Sequence, residues 1–345
     1  MIPELPAQPT WEIFDSTKAN QYMKCPRETF FEHILGWRPS VPQHNLSFGR
    51  AFHEGLEYVY EDRKQNNLTS YRDVDTAKAT KIFLEDYRKD FGPESDWEHG
   101  AKNPENVARI YDQYLQHYNG DNFEVVWTEI SGSVPIGTKS DGSDKEMHFR
   151  LDTVVRDERG LSILEHKTSA WSIFFWETSW EGSVQAGCGV HALYCYFNEP
   201  IYGVIMNGFF FRQPMLEKAD GSPYKRRSNT GNEFSRLPIV PGPGQQEAWL
   251  SMMNTHYDRH SDDLDRLDSA KTGDVVLNCF PKNPNNCIRY GSICPFHSYC
   301  HNWANPLQHL DEMPPEFKVD YWDPRKQDKE YTGQCENSTV KEVKE

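Results

Sequence analysis

The sequence has little that would place it in or across a membrane. No stretch approaches the roughly 20 consecutive apolar residues that a bilayer-spanning helix needs. The opening residues carry neither the basic segment nor the apolar segment of a secretion signal. We therefore expect a cytoplasmic protein with no membrane partner.

Basic residues are outnumbered by acidic ones. Lys and Arg total 37 against 52 Asp and Glu, and the formal net charge is −15 at pH 7. This balance argues against a general nucleic-acid coat protein, although a local basic groove can coexist with an acidic exterior. Core-forming side chains are plentiful, since the 345 residues include 10 Trp, 17 Tyr and 19 Phe. We expect a globular protein with carboxylates available for divalent cations.

The eight cysteines lack the Cys-x2-Cys spacing of common zinc modules. In a cytoplasmic chain they should be reduced, so a cluster of them points to a metal before a disulfide. Four fall close together, at Cys279, Cys287, Cys294 and Cys300. This bunching predicts a metal-binding segment in the C-terminal part of the chain.

Apolar periodicity divides the chain into four parts. We predict boundaries at 1–120, 121–215, 216–313 and 314–345. The first part is mostly helical in pattern, and the second alternates as strands do, with a helix at 182–197. A loop at 212–243 precedes an amphipathic helix at 245–267 and the cysteines, and the last part is a mobile polar tail. The fold class is α/β: a small mixed central sheet flanked by helices, with an N-terminal helical part and a C-terminal Cys-rich segment.

Two β-rich runs, at 147–155 and 161–168, are joined by a short turn and predict a hairpin. If Arg156 pairs with Leu161, the numbers of paired residues sum to 317. A slip of one residue would turn every side chain of one strand to the opposite face. The register therefore decides which side chains meet.

This register places two carboxylates, Asp152 and Glu165, opposite each other with Cβ atoms about 4.5–5.5 Å apart. Lys167 shares the face of Glu165, about 6–7 Å along the strand. Facing carboxylates repel unless a cation lies between them, and a divalent cation with oxygen ligands fits that position. Lys167 could then orient a water or stabilise charge on a phosphate. The alternative is a surface Glu–Lys ion pair with no catalytic role.

Asp152, followed by Glu165-His166-Lys167-Thr168 at the end of an apolar strand, resembles the PD-(D/E)XK nuclease superfamily, specifically its RecB-like branch. Three further motifs carry the resemblance: GRAFHE at 49–54, the segment from Ser16-Thr17-Lys18 to Cys25-Pro26-Arg27, and Gln185 on the helix after the strand. The position four residues after Gln185, where the family usually has Tyr, is Gly189.

The resemblance implies a restriction-endonuclease-like core and metal-dependent hydrolysis of DNA. Asp152, Glu165, His53 and the main-chain carbonyl of His166 would bind Mg²⁺ or Mn²⁺. Lys167 would position the attacking water, and Gln185 would orient Lys167 or the phosphate. Without these motifs, His53 is typical of a hydrogen-bonded core histidine and Gln185 of a polar residue near a helix start.

The resemblance also implies a role for the cysteines. Several RecB-like nucleases hold a [4Fe–4S] cluster with one Cys before the core and three after it. Cys25, Cys287, Cys294 and Cys300 would be these ligands. The residues alone leave two alternatives open, a Zn²⁺ site that uses Cys279 or His297 and no metal at all. We interpret the remaining thiols, Cys188, Cys195 and Cys335, as buried or tail residues.

These features predict a DNA nuclease, more an exonuclease than an endonuclease, that acts on single-stranded DNA or DNA with a free end. Arg212 and the basic residues 225–227 could contact phosphates or form a solvated turn. Recombination, repair or replication proteins would be its partners. The alternative is a non-catalytic DNA-binding or assembly factor that keeps the nuclease fold.

Overall fold

A computed structural model describes residues 5–66, 71–180, 182–212, 232–289 and 292–327. The described residues form two compact units, one from 5–41, 131–149 and 242–327 and the other from 42–130 and 150–241. We call the former the first unit and the latter the second unit. Within the described ranges, no helix is both long enough and apolar enough to cross a membrane.

The secondary structure alternates helices and strands along the chain. The α-helices are α1 (Ser16–Lys24), α2 (Pro26–Thr29), α3 (His44–Gln65), α4 (Thr76–Tyr87), α5 (Pro104–His117), α6 (Ile173–Thr178), α7 (Val184–Tyr196), α8 (Pro243–Ser269) and α9 (His297–Asn302). The strands are β1 (Trp37–Pro39), β2 (Glu124–Thr138), β3 (Asp144–Asp157), β4 (Gly160–Ser169), β5 (Ile201–Phe210), β6 (Glu233–Ile239), β7 (Ile288–Arg289), β8 (Ser292–Ile293) and β9 (Phe317–Val319).

The central sheet has five strands in the order β2-β3-β4-β5-β6. β3 and β4 pair antiparallel, β4 and β5 pair parallel, and β5 and β6 pair antiparallel. α6 and α7 form the crossover that a parallel β4–β5 pair requires. This mixed sheet with its helices confirms the predicted fold class.

The β3–β4 hairpin has the register predicted from its turn. Arg156 pairs with Leu161, and the ladder extends to Thr153 opposite Leu164. Gly160 at the turn has φ 116°, a conformation that favours glycine. The local turn therefore sets which faces the following side chains of β4 occupy.

The predicted loop at 212–243 is wrong for its last part, which forms the edge strand β6. β6 pairs with β5 from Val204 opposite Ile239 to Phe210 opposite Glu233. The strand contains Pro238, which edge strands tolerate because one of their sides needs no ladder bonds. Residues 213–231, which include the basic residues 225–227, lie outside the described residues.

The core of the second unit is built on α3. Apolar residues recur at helical spacing along it, and Phe48, Phe52 and Leu56 are fully buried. The Phe52 ring stacks on Tyr111 of α5 with ring centroids 4.9 Å apart. Glycine at position 55 lets α3 lie close to α5, because a Cβ there would collide with the Tyr111 hydroxyl. This packing fixes the face of α3 that points toward the sheet.

In the first unit, Asp15 is the N-cap of α1 and accepts a hydrogen bond from the Lys18 main-chain N–H at 2.8 Å. Within the predicted tail at 314–345, β9 pairs with β1, and Phe317 is buried. Residues 328–345 lie outside the described residues, and the mobile tail at 314–345 stays a prediction.

Candidate active site

The carboxyl end of β4 carries three consecutive residues of the site. Glu165 and Lys167 share a face, as predicted, and Lys167 Nζ donates to Glu165 Oε1 at 2.7 Å. The side chain of His166 points to the opposite, buried face. β4 therefore presents an acid and a base together while its middle residue is anchored in the core.

Asp152 of β3 is buried beside this strand end. Its Oδ2 accepts a hydrogen bond from the main-chain N–H of His166 at 2.7 Å. Burial alone would raise the pKa of Asp152, but the charge and hydrogen bond of His53, together with the charge of Lys167, outweigh it and lower the pKa. The carboxylate is therefore ionised across the physiological range.

His53 of α3 connects Asp152 to the His166 main chain. Its Nδ1 lies 3.2 Å from Asp152 Oδ1, and its Nε2 donates to the His166 carbonyl oxygen at 2.9 Å. Burial opposes the charge on His53, but Asp152 raises its pKa above the ordinary value. The structure thus brings together the imidazole, the carboxylate and the carbonyl that the resemblance implies as metal ligands.

Glu129 of β2 is a member of this group that the sequence reasoning missed. The ligand atoms of His53, Glu129 and Asp152 all lie within 4.8 Å of one another. The Glu129 side chain is 11% exposed, and burial followed by the charge of Asp152 raises its pKa to about 8. The alternation of Val125 and Trp127 pointed toward position 129 and could have revealed it.

The backbone of Glu129 has φ 50°, which is uncommon for a residue other than glycine. Arg150 Nε lies 3.5 Å from Glu129 Oε2 and partly compensates its charge. Such conformations persist where the surrounding structure imposes them, and they concentrate at functional sites. The position of this carboxylate is therefore determined by the sheet around it.

Glu165 lies beside this group and is held by two donors. Its Oε1 accepts from Lys167 Nζ and from Gln185 Nε2, the latter at 2.6 Å. Gln185 is in the first turn of α7, where Ser183 caps the helix by accepting from the Ala186 N–H. Gln185 thus contacts the carboxylate next to Lys167 and not Lys167 itself.

Burial and neighbouring charges shift the pKa values of Glu165 and Lys167. Burial, then Asp152, raises the pKa of Glu165. Burial would lower the pKa of Lys167, but the charges of Glu165 and Asp152 raise it above the ordinary value. Lys167 therefore remains a cation, which suits a group that stabilises negative charge.

The His166 side chain is fixed by a buried network. Its Nδ1 accepts from Asn207 Nδ2 at 2.9 Å, and its Nε2 donates to Thr153 Oγ1 at 3.3 Å. Tyr60 stacks on the ring with centroids 5.2 Å apart. Burial lowers the pKa of His166 to about 3, so the ring is neutral and this tautomer follows from its neighbours.

Arg236 of β6 completes this network from the edge strand. It donates to both oxygens of Asp121, at 2.7 and 2.8 Å, and to the Tyr114 hydroxyl at 2.9 Å. Its Nε lies 3.3 Å from Asn207 Oδ1, and its guanidinium stacks 3.6 Å above the Tyr118 ring. Asn207, held in this way, in turn orients His166.

The predicted cysteine ligands line one cavity in the first unit. Its volume is about 130 Å³, and Cys25, Cys287, Cys294 and Cys300 all border it. The Cys294 main-chain N–H donates to the Cys287 carbonyl at 2.9 Å, across the β7–β8 hairpin. The structure therefore brings the upstream cysteine to the three downstream ones.

Cys279 does not line this cavity, whereas His297 does. Burial raises the pKa of Cys294 to about 11, so its thiol is protonated unless a metal is bound. Among the described residues, no three cysteine sulfurs lie within 4.8 Å of one another. A single tetrahedral Zn²⁺ with 2.3 Å bonds would need sulfurs about 3.8 Å apart.

The remaining sequence prediction concerns Arg212. Its Nη1 donates to the carbonyls of Ala170 and Trp171, at 3.1 and 2.9 Å, and its Nε donates to Glu233 at 2.7 Å. These bonds tie the segment after β4 to β6. Arg212 therefore has a structural role in the second unit.

A comparison with protein families identifies one match. The model of the PD-(D/E)XK nuclease superfamily matches residues 16–201, more than half of the chain. The matched segment contains His53, Glu129, Asp152, Glu165 and Lys167. A comparison with curated proteins found no match.

Proposed function

Because the chain belongs to the PD-(D/E)XK nuclease superfamily, we propose that it is a metal-dependent nuclease that hydrolyses phosphodiester bonds in DNA. One observation carries this proposal. The ligand atoms of His53, Glu129 and Asp152 converge within 4.8 Å at the end of the strand that bears Glu165 and Lys167. Convergence of acidic groups beside a lysine is costly in a fold unless it serves binding or catalysis.

The donor set fits a hard divalent cation. Carboxylate and carbonyl oxygens with one imidazole suit Mg²⁺ or Mn²⁺. Asp152, Glu165, His53 and the His166 carbonyl would hold the ion, and Glu129 extends this set. When bound, the cation supplies a water of lowered pKa and stabilises charge on the phosphate.

The chain's own residues position the reacting groups. Lys167 remains protonated and is partly exposed beside Glu165, so it could donate to a phosphate oxygen of the substrate. Gln185 keeps the Glu165 carboxylate, and with it Lys167, in place. His166 holds its own carbonyl toward His53 through its buried side chain.

A digestion assay tests this function. Single-stranded DNA labelled at either end, and circular single-stranded DNA, are incubated with Mg²⁺, Mn²⁺ or EDTA. Lys167→Ala should lower the rate by about 100-fold or more, while Lys81→Ala, a matched change of an exposed lysine, should leave it unchanged. If wild type and Lys167→Ala are equally inert with both metals, the alternative of a non-catalytic DNA-binding or assembly factor replaces the nuclease.

We extend the proposal to an exonuclease that prefers single-stranded or free-ended DNA. Degradation of linear but not circular substrate would support end-dependent cleavage, and release from one labelled end first would give its polarity. Rapid cleavage of the circle would make the enzyme an endonuclease. Recombination, repair or replication proteins would supply such ends.

For the first unit we propose a [4Fe–4S] cluster held by Cys25, Cys287, Cys294 and Cys300. The four thiols border one cavity, and four cysteine thiolates are the ligands that such a cluster takes. A cytoplasmic location would keep these thiols reduced. Protein purified without oxygen should be brown, and Cys294→Ser should abolish the colour. Colourless protein with stoichiometric Zn²⁺ would instead support the zinc alternative.

A further inference from the structure

Aromatic side chains lie exposed directly after β4. Trp171 is 48% exposed, and Phe174 and Phe175 of α6 are 71% and 67% exposed. Side chains of this size usually supply buried area, and their exposure next to one another marks an interaction surface. We call these three residues the aromatic platform.

The opposite side of α6 is anchored, so the platform has a defined place. Trp176 is buried and packs edge-on against Phe210 of β5, with centroids 5.1 Å apart. Gly208 leaves room for it, because a Cβ there would lie 2.8 Å from the Trp176 ring. Glu177 Oε1 accepts from Ser235 Oγ at 2.6 Å. The exposed rings are therefore not a consequence of a poorly packed helix.

The platform lies on the chain segment that runs from Lys167 to Trp180, and the two ends of this segment are close to each other. Lys167 Nζ lies 5.7 Å from the centroid of the Trp180 ring, which follows α6. Trp180 Nε1 is buried and has no hydrogen-bond partner among the described residues. At the other end, Arg212 holds the carbonyl of Trp171. One chain segment thus carries Lys167 at its start, the exposed rings in its middle and Trp180, which lies next to Lys167, at its end.

The chemistry of this segment fits unpaired bases. From Ser169 to Trp180, the single charged residue is Glu177, which Ser235 engages. The bases of a duplex are already stacked on one another, whereas those of a single strand offer free π-faces. A strand whose phosphate lies at Lys167 would place neighbouring bases beside these rings.

On the basis of the proposed function, we infer that Trp171, Phe174 and Phe175 form a stacking surface that holds the unpaired bases of a single-stranded DNA substrate next to the site of cleavage. This surface selects single strands through base stacking and not through the sugar-phosphate backbone. It is tolerant of sequence, because every base has a π-face.

Binding without hydrolysis tests this inference. Fluorescently labelled oligothymidylate, and an abasic backbone of the same length, are titrated with the full chain in EDTA. Phe174→Ala and Phe175→Ala should each weaken oligothymidylate binding by about 10-fold and leave abasic binding unchanged. Phe175→Trp should retain affinity, while Phe175→Leu should not, because leucine is apolar but cannot stack.

Trp97→Ala is the matched control, since Trp97 is 80% exposed in another segment of the same unit. It should bind both probes as wild type does. Equal wild-type affinity for the two probes, or unchanged binding of oligothymidylate by the Phe174 and Phe175 variants, would overturn the stacking surface.

A base-free phosphodiester, bis(p-nitrophenyl) phosphate with Mn²⁺, separates this inference from the nuclease proposal. The alanine variants should hydrolyse it at the wild-type rate while their cleavage of single-stranded DNA at low concentration falls about 10-fold. If the wild type hydrolyses neither substrate but binds oligothymidylate through the platform, the nuclease proposal fails and the stacking surface stands. If it hydrolyses both and the variants cleave DNA normally, the stacking surface fails alone.

Discussion

Replacing Arg236 with Met should expose how strongly the buried network supports the site. The guanidinium makes two bonds to Asp121 and one to Tyr114, and the Arg236 and Asp121 side chains are only 16% and 12% exposed. Removing one partner of a buried ion pair costs about 3–5 kcal/mol, because it leaves the other charge uncompensated. Both side chains keep some exposure to solvent, and Tyr71 still donates to Asp121 in the variant. We therefore expect the free energy of unfolding to fall by about 3 kcal/mol.

The same change should weaken metal binding at a distance. Arg236 orients Asn207, which holds the His166 ring and thereby the carbonyl next to His53. Residues that orient metal ligands typically contribute about 10- to 100-fold to affinity. Arg236→Met should therefore lower Mn²⁺ affinity by about 10-fold, with little change in the KM for DNA.

Urea unfolding followed by circular dichroism, together with calorimetric titration of Mn²⁺, would measure both effects. Arg236→Met combined with Asp121→Asn should recover much of the lost stability, because no buried charge is then left alone. The double variant should keep the reduced metal affinity, since Asn207 still lacks its partner. A stability loss below about 1 kcal/mol, or unchanged Mn²⁺ affinity, would refute this account of the network.

Three further predictions concern other parts of the molecule. Glu129→Gln should raise the melting temperature of the metal-free protein, since it removes the cost of burying and protonating a carboxyl beside Asp152. It should also lower Mn²⁺ affinity in calorimetry, and an unchanged affinity would exclude Glu129 as a ligand. Burial lowers the pKa of His260 to about 3, so the neutral ring stabilises the fold above its ordinary pKa of about 6.5, and this stability is lost as the pH falls toward 3. The melting temperature of His260→Phe should therefore depend less on pH between about 3 and 6.5. A pH dependence identical to that of the wild type would contradict the assignment. Gly55→Ala should destabilise the protein to urea by about 1–3 kcal/mol through collision with Tyr111, whereas Gly49→Ala on the same helix has open space and should stabilise it by up to about 1 kcal/mol; similar shifts for both would rule out the steric argument.

Local patterns in the sequence were sufficient for the strands that carry the site. The β3–β4 register followed from a turn and from alternation, because hairpin pairing is decided by residues a few positions apart. Placement of Glu165 and Lys167 on one face then needed no tertiary information. The roles of Asp152, Glu165, His53, Lys167 and Gln185 stay predictions that the digestion and binding assays address.

Long-range packing accounts for what the sequence did not reveal. Glu129 reaches the site through the pairing of β2 with its neighbour β3. Arg236 reaches it through the edge strand β6, whose proline and charged residues are typical of a loop. The four contiguous parts stay predictions too, whereas each compact unit draws on separate stretches of chain.

The pairing of β1 with β9 has a consequence for synthesis on the ribosome. Trp37 lies opposite Val319, so a nascent chain holds its early strand without this partner until residue 319 has been translated. The β3–β4 hairpin needs only a tight turn and closes long before. The proposed cluster likewise cannot form until Cys287, Cys294 and Cys300 have been translated, long after Cys25. Chaperone dependence should therefore concentrate on the first unit, and premature stop codons between Ile239 and Phe317 should spare the strands of the central sheet while preventing the pairing of β1 with β9.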